Sequence, residues 1–106
     1  MILTSSETIA HKRIVKTLGL VKGNTVRARH IGQDIAAFFR NIVGGEVTNY
    51  TKLLAESREQ SIDRMVEEAR QMGANAIVTC RFSTSQIMQG AAEIIVYGTA
   101  VVVEEE

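Results

Sequence analysis

Three side chains in this 106-residue chain are of the kind that bind soft or borderline metals: His11, His30 and Cys80. They lie far apart, with no Cys-x-x-Cys or His-x-x-x-His pair, and a structural zinc site takes four such ligands. One chain therefore cannot close a site alone, whereas a symmetric assembly can repeat His30 or Cys80 around an axis. Each also has a plainer reading. Cys80 alternates with Val78 and Phe82 on an apolar face and fits a small buried hydrophobe. His30 precedes a helical segment and fits a surface or capping residue. His11 sits in a basic cluster with Lys12 and Arg13 and reads as solvated.

For catalysis the chain offers no Gly-x-Ser-x-Gly elbow, phosphate loop or dinucleotide fingerprint. Cys80 and His30 would have to meet in space to act as nucleophile and base, and nothing in the sequence requires it. The Gly44-Gly45 pair is a better site. It brings bare backbone to the start of a helix, whose free N–H groups favour an anion, and Tyr50 follows one turn in. Gly44, Gly45, Glu46, Tyr50 and Arg58 then form a candidate small-ligand pocket at a subunit boundary. Glu46 opposes an anionic ligand, and the competing reading is a tight turn against which Tyr50 packs. Arg81, on an otherwise apolar stretch, reads as a solvent-face residue or as a charge partner across an interface.

These residues need elements to hold them. Arg13 to Val21 alternates as a strand, Lys22-Gly23-Asn24 reads as a turn, and Thr25 to Ala28 returns as a short strand. Ile31, Ile35, Phe38, Phe39 and Ile42 recur at helical spacing, which predicts a helix over 31–43 ended by Gly44-Gly45. A second helix is predicted from Thr48 to Met72, capped by Thr48 and stopped by Gly73. Its stripe is Tyr50, Leu53, Leu54, Ile62, Met65, Val66, Ala69 and Met72, thinned at Ser57 and Ser61. At 1.5 Å per residue it is roughly 37 Å long, against a radius of gyration of about 13 Å for a compact chain of this length. Such a helix spans the subunit and overhangs it. Ala76 to Phe82 reads as a strand. Residues 83–90 read as a loop or as the arms of a hairpin closing near Gln89-Gly90. Glu93 to Val103 is the strongest strand and is apolar on both faces, where a half-solvated strand should alternate. The missing cover comes most simply from another subunit. Glu104-Glu105-Glu106 reads as a frayed end.

Composition sets the frame. Apolar residues are 45% and charged residues 23%, the balance of a globular domain, here a single α+β domain over residues 1–106. Isoleucine and valine each occur eleven times while aromatics are 5%, so stiff β-branched side chains and a sheet carry the core. Net charge is zero, which argues against a nucleic-acid footprint. The charge is uneven, however. Residues 1–50 hold seven Lys/Arg against three acids and residues 51–106 five against nine. That split fits two solvated faces, or complementary surfaces on neighbouring subunits. A lone cysteine excludes an intrachain disulfide, the start has no basic and apolar leader, and no apolar run has the length of a membrane span. The cytoplasm is the default location.

Ile42-Val43-Gly44-Gly45-Glu46, then Tyr50, Leu53-Leu54, Arg58, Met65, Ala69 and Gly73-Ala74-Asn75-Ala76, resemble the YbjQ-like family of small uncharacterised bacterial and archaeal proteins. Ile31 with Asp34 upstream and Tyr97-Gly98-Thr99-Ala100-Val101 downstream extend the likeness over nearly the whole chain. The resemblance implies a dodecin-subunit-like β-α-β-β unit, with helix packed on an antiparallel sheet. It also implies a ring-like homo-oligomer, best taken as a pentamer, and carries a heavy-metal-binding label with no defined reaction. The chain departs from the family at Thr79 to Ser85, where many relatives place acids, so a role resting on those acids is not implied here. The leading reading is a non-enzymatic ring protein that binds a small molecule between subunits. The alternative binds metal through ligands repeated by symmetry, and an enzyme comes third. No motif names a cofactor.

Overall fold

The structure, a computed structural model, describes residues 1–28, 47–88 and 91–106. The element order is β1 (Ile2–Leu3), β2 (Lys12–Ala28), α1 (Val47–Gln71), β3 (Ala76–Met88) and β4 (Ala91–Glu105). The predicted helix over 31–43 and the Gly44-Gly45 turn lie outside the described residues.

The four strands form one sheet in the order β1-β3-β4-β2. β1 runs parallel to β3, while β4 is antiparallel to both β3 and β2, so the sheet is mixed rather than antiparallel throughout as the resemblance implies. The β2–β4 ladder runs from Lys12 opposite Glu105 to Ala28 opposite Ala91, about 50 Å at ~3.4 Å per residue. The molecule is correspondingly long, 54 × 24 × 18 Å with a radius of gyration of 17.3 Å. Met88 pairs with Ala91, so the second of the two readings of residues 83–90, strand arms of a hairpin, is the one found.

Two expectations are corrected here. Lys22-Gly23-Asn24 is no turn: the three residues lie in mid-strand, paired with Tyr97, Val96 and Ile95. A glycine inside a strand marks a close approach of another element as often as a bend, and here the element is α1. A Cβ at Gly23 would lie 2.0 Å from the Ser61 carbonyl oxygen and 2.5 Å from the Met65 amide nitrogen. The second correction is at the C-terminus, which is not frayed. Glu104 and Glu105 belong to β4, where Arg13 and Lys12 oppose and ion-pair with them, and the Glu106 amide donates to the His11 carbonyl at 3.2 Å.

Helix α1 keeps the predicted span to within a residue at each end. Ser57, Ser61, Met65 and Ala69, each four residues on from the last, are fully buried and put one narrow line of the helix on the sheet. The small serines sit where the helix crosses Gly23, and Met65 and Ala69 join Val21, Ile77, Val96 and Ala100 in the main core. The serines are satisfied: Thr25 Oγ1 donates to the Ser57 carbonyl at 3.2 Å, and Ser61 Oγ lies 3.0 Å from Thr25 Oγ1 and 3.2 Å from the Ile94 carbonyl it donates to. Gly73, at φ 88°, ends the helix as expected, with the Ala74 amide bonded back to the Ala69 carbonyl at 3.0 Å.

The last strand is two-faced, as its sequence indicates, but part of its second cover comes from the chain itself. Ala76, Val78, Val101 and Val103 form a second small core on the side away from α1, and Ile9 packs against it. Farther along the same side, nothing in the described residues plays the part of Ile9.

Candidate functional site

The irregular point of the sheet is the bulge in β3. Val78 pairs with Thr99 and Arg81 with Tyr97, so β3 holds one residue more than β4 across this step. The extra residue is absorbed at Thr79, whose φ of 57° is unusual for a β-branched side chain. The amino-terminal segment holds it there. The Thr79 amide donates to the Ser6 carbonyl at 2.9 Å and the Cys80 amide to the Thr4 carbonyl at 3.0 Å. Within that segment Thr4 Oγ1 and Ser6 Oγ lie 2.7 Å apart, and Ser6 Oγ donates to the Thr8 carbonyl at 2.6 Å. Arg81 closes the arrangement, its Nη1 donating to the carbonyls of Ser5 at 2.8 Å and Cys80 at 2.9 Å.

The bulge sends Cys80 and Arg81 to opposite sides. Cys80 turns toward α1: it packs on the main core, and its Sγ lies 3.3 Å from where a Cβ on Gly98 would stand. Burial pushes the thiol above its ordinary range, against the opposing pull of the Thr4 backbone hydrogen bond and the Arg81 charge. Its S–H contacts the Ile77 carbonyl at 3.6 Å. A thiol held protonated is a poor nucleophile and a poor metal ligand at neutral pH, since both roles need the thiolate. The small-hydrophobe reading of Cys80 fits these surroundings.

Arg81 stands on the open side. Register places it in one row with Tyr97 and Lys22, across β3, β4 and β2, and the next row holds Leu20 opposite Thr99. Leu20 is 65% exposed and Tyr97 39%, with Val26 farther along at 50%. Lys22 forms no ion pair among the described residues, whereas Glu93 on the same side accepts from Asn24 Nδ2 at 2.9 Å. The open side is thus an apolar strip with two cations flanking its aromatic.

The residues singled out from sequence are not gathered into one place by what is described. His30, Gly44, Gly45 and Glu46 lie outside the described residues. Tyr50 is on the first turns of α1, but its side chain is outside them too. Arg58 is exposed on α1, and Cys80 is in β3, packed against the main core. The open-side row was missed because the turn reading of Lys22 broke the strand that carries it. The amino-terminal hydroxyls were missed because they were read only for targeting signals.

A metal site can be tested on the donors. Among the described residues no three His, Cys, Asp or Glu side chains are grouped so as to hold an ion, and partial burial raises the pKa of the one thiol. The described part of a single chain does not fit a heavy-metal centre.

A family model, YbjQ_1, described as "Putative heavy-metal-binding", matches residues 1–104. The chain belongs to this family. A UPF0145 protein of Dehalococcoides mccartyi is 59% identical over 104 residues, covering 98% of this chain and 100% of that protein. Another from Methanosarcina acetivorans is 55% identical over 95% of both chains, and one from Clostridioides difficile is 51% identical over 100% of this chain and 95% of its own. Among solved structures, a protein of unknown function of the DUF74 family from Pediococcus pentosaceus superposes with a TM-score of 0.65 over 98% of both chains. At 12% identity that likeness shows the fold, a small α+β unit, and no more. No described helix is long and apolar enough to cross a membrane.

Proposed function

We propose that this family member is a non-enzymatic, self-assembling ring protein, five copies to the ring, holding a small ligand between subunits. The observation that carries the reading is the exposed apolar strip of Leu20, Val26 and Tyr97, which no described residue covers, on a sheet whose other side carries the main core. The ligand part rests on the Gly44-Gly45-Glu46, Tyr50 and Arg58 set read from sequence. Native mass spectrometry of the untagged protein tests both parts together: it should give an oligomer with added mass, and Tyr50→Phe should lose that added mass while keeping the oligomer.

The family description favours a second reading, metal held by ligands that symmetry repeats. Metal analysis of wild type and Cys80→Ala separates the two. A stoichiometric metal lost in the variant supports the second reading, and its absence from both supports the first.

A further inference from the structure

Strand β3 carries two surplus residues along its ladder with β4, one between Val78 and Arg81 and one between Gln86 and Met88. The residues between these points, Arg81 to Gln86, pair without a break from Tyr97 to Ala92. Their side chains do little to hold them in that register. Ser83, Thr84, Ser85 and Gln86 are exposed on whichever face they lie, and a strand polar on both faces is weakly protected against slippage. Phe82 stands opposite Val96 on the helix side and is nevertheless 50% exposed, so it secures little there.

A slip of one residue toward the Met88–Ala91 end would pair Thr79 with Gly98, Cys80 with Tyr97, Arg81 with Val96 and Phe82 with Ile95. Both surplus residues would then collect at that end. Every side chain in the segment would change face. Thr79 would also leave its φ of 57°, a conformation costly for a β-branched residue, for that of an ordinary strand. What opposes the slip is the amino-terminal segment. Successive amides of a regular strand point to opposite edges, yet the Thr79 and Cys80 amides both donate to this segment, to the Ser6 and Thr4 carbonyls at 2.9 and 3.0 Å. Only the bulged form presents the two together. Arg81 adds a charged bond to the Ser5 carbonyl at 2.8 Å, which a change of face would break.

We infer that β3 has two registers and that residues 4–6 are the latch that selects between them. Latched, the strand keeps Cys80 at the core edge and Arg81 in the open-side row. Released, residues 79–86 slip by one and turn over, the thiol comes out opposite Tyr97, and Phe82 joins the apolar strip. The latch is lightly held. Ser5 and Ser6 are exposed, and the strand that leads into them is only Ile2–Leu3. The device needs no second subunit.

Disulfide trapping in the full chain, on a Cys80→Ala background, reads the register. Ser85 is opposite Glu93 in the latched strand, and Thr84 takes that place after the slip. Ser85→Cys with Glu93→Cys therefore reports the latched register, and Thr84→Cys with Glu93→Cys the slipped one, because side chains on opposite faces do not bridge. Both pairs use the same position on β4, so their closing rates under one mild oxidant compare directly, followed by intact mass after alkylation. With the latch whole, the Ser85 pair should close far faster. Adding Ser6→Ala and Arg81→Ala should raise the rate of the Thr84 pair relative to the Ser85 pair by about tenfold, the worth of one hydrogen bond to a charged group. Thr79→Gly should move the ratio the other way, since glycine holds a positive φ without a Cβ clash. If the latch variant speeds both pairs alike, the strand opens rather than slips and the inference is overturned. A ratio that neither variant moves overturns it too, since β3 then has one register.

Discussion

Gly23→Ala should be among the most damaging single substitutions in the described part of the chain. The added Cβ would lie 2.0 Å from the Ser61 carbonyl oxygen, 2.5 Å from the Met65 amide nitrogen and 3.0 Å from Arg64 Cβ. Two of these atoms are helix backbone, so no rotamer change relieves the contact. To reach an ordinary separation the helix must rise by more than an ångström, and overpacking of this kind costs about 1–3 kcal/mol. The rise also stretches the bonds among Thr25, Ser57, Ser61 and the Ile94 carbonyl, buried groups worth about 1 kcal/mol each. A total near 4 kcal/mol is a large part of the ~5–15 kcal/mol that holds a domain folded. At about 4–8 °C per kcal/mol for a chain of this size, the melting midpoint should fall by about 15 °C or more. The assay is thermal denaturation followed by helical circular dichroism at fixed protein concentration. Gly73→Ala is the control: its φ of 88° carries a backbone cost, but nothing lies within 4 Å of its would-be Cβ, so its loss should be about 1 kcal/mol. A Gly23→Ala midpoint within 2 °C of wild type would refute the close crossing of helix and sheet.

Further outcomes follow from the same geometry. Asn75→Ala should cost about 2 kcal/mol in denaturant unfolding, because its side chain both donates to the Val103 carbonyl at 2.9 Å and accepts from the Val103 amide at 2.8 Å. Cys80→Ala should cost about 1 kcal/mol and leave the oligomer intact, since little volume is removed from the core edge; fast labelling of the native thiol by a bulky reagent would contradict this placement. The pH dependence of that thiol has a definite sign. Its folded value lies above its ordinary one, so the folded state holds the proton more tightly, and the stabilisation is complete below the unfolded thiol's value and lost as pH rises past it. Wild type should therefore lose stability in the alkaline range relative to Cys80→Ala, as read from urea midpoints at neutral pH and above the ordinary thiol range.

How much of this was legible in the sequence depends on what kind of force decides each feature. Helix α1 was readable to within a residue at each end, because its stripe, its Gly73 stop and its length are all local. The two-faced β4 was readable as well, since Ile94 to Val103 carries apolar residues on both of its alternating faces. Gly23 was not: Lys-Gly-Asn has turn composition, and only the helix backbone at Ser61 and Met65, far along the chain, explains why a strand keeps a glycine there. The cover by Ile9 was equally hidden, because a single apolar residue in a polar segment has no period to reveal it. The candidate site suffered most. The Lys22–Tyr97–Arg81 row joins a hairpin to a strand from the other end of the sequence, and its register depends on a bulge that no local pattern announces. Cys80 could be read both ways from alternation, and its partial burial comes from strands and core that only the fold brings together.

Self-assembly is the claim on which the rest depends, and the solution mass of untagged wild-type protein tests it most directly. Light scattering coupled to gel filtration at micromolar concentration should give five times the 11.6 kDa subunit, about 58 kDa, with no monomer peak. A single species at the subunit mass would contradict the account.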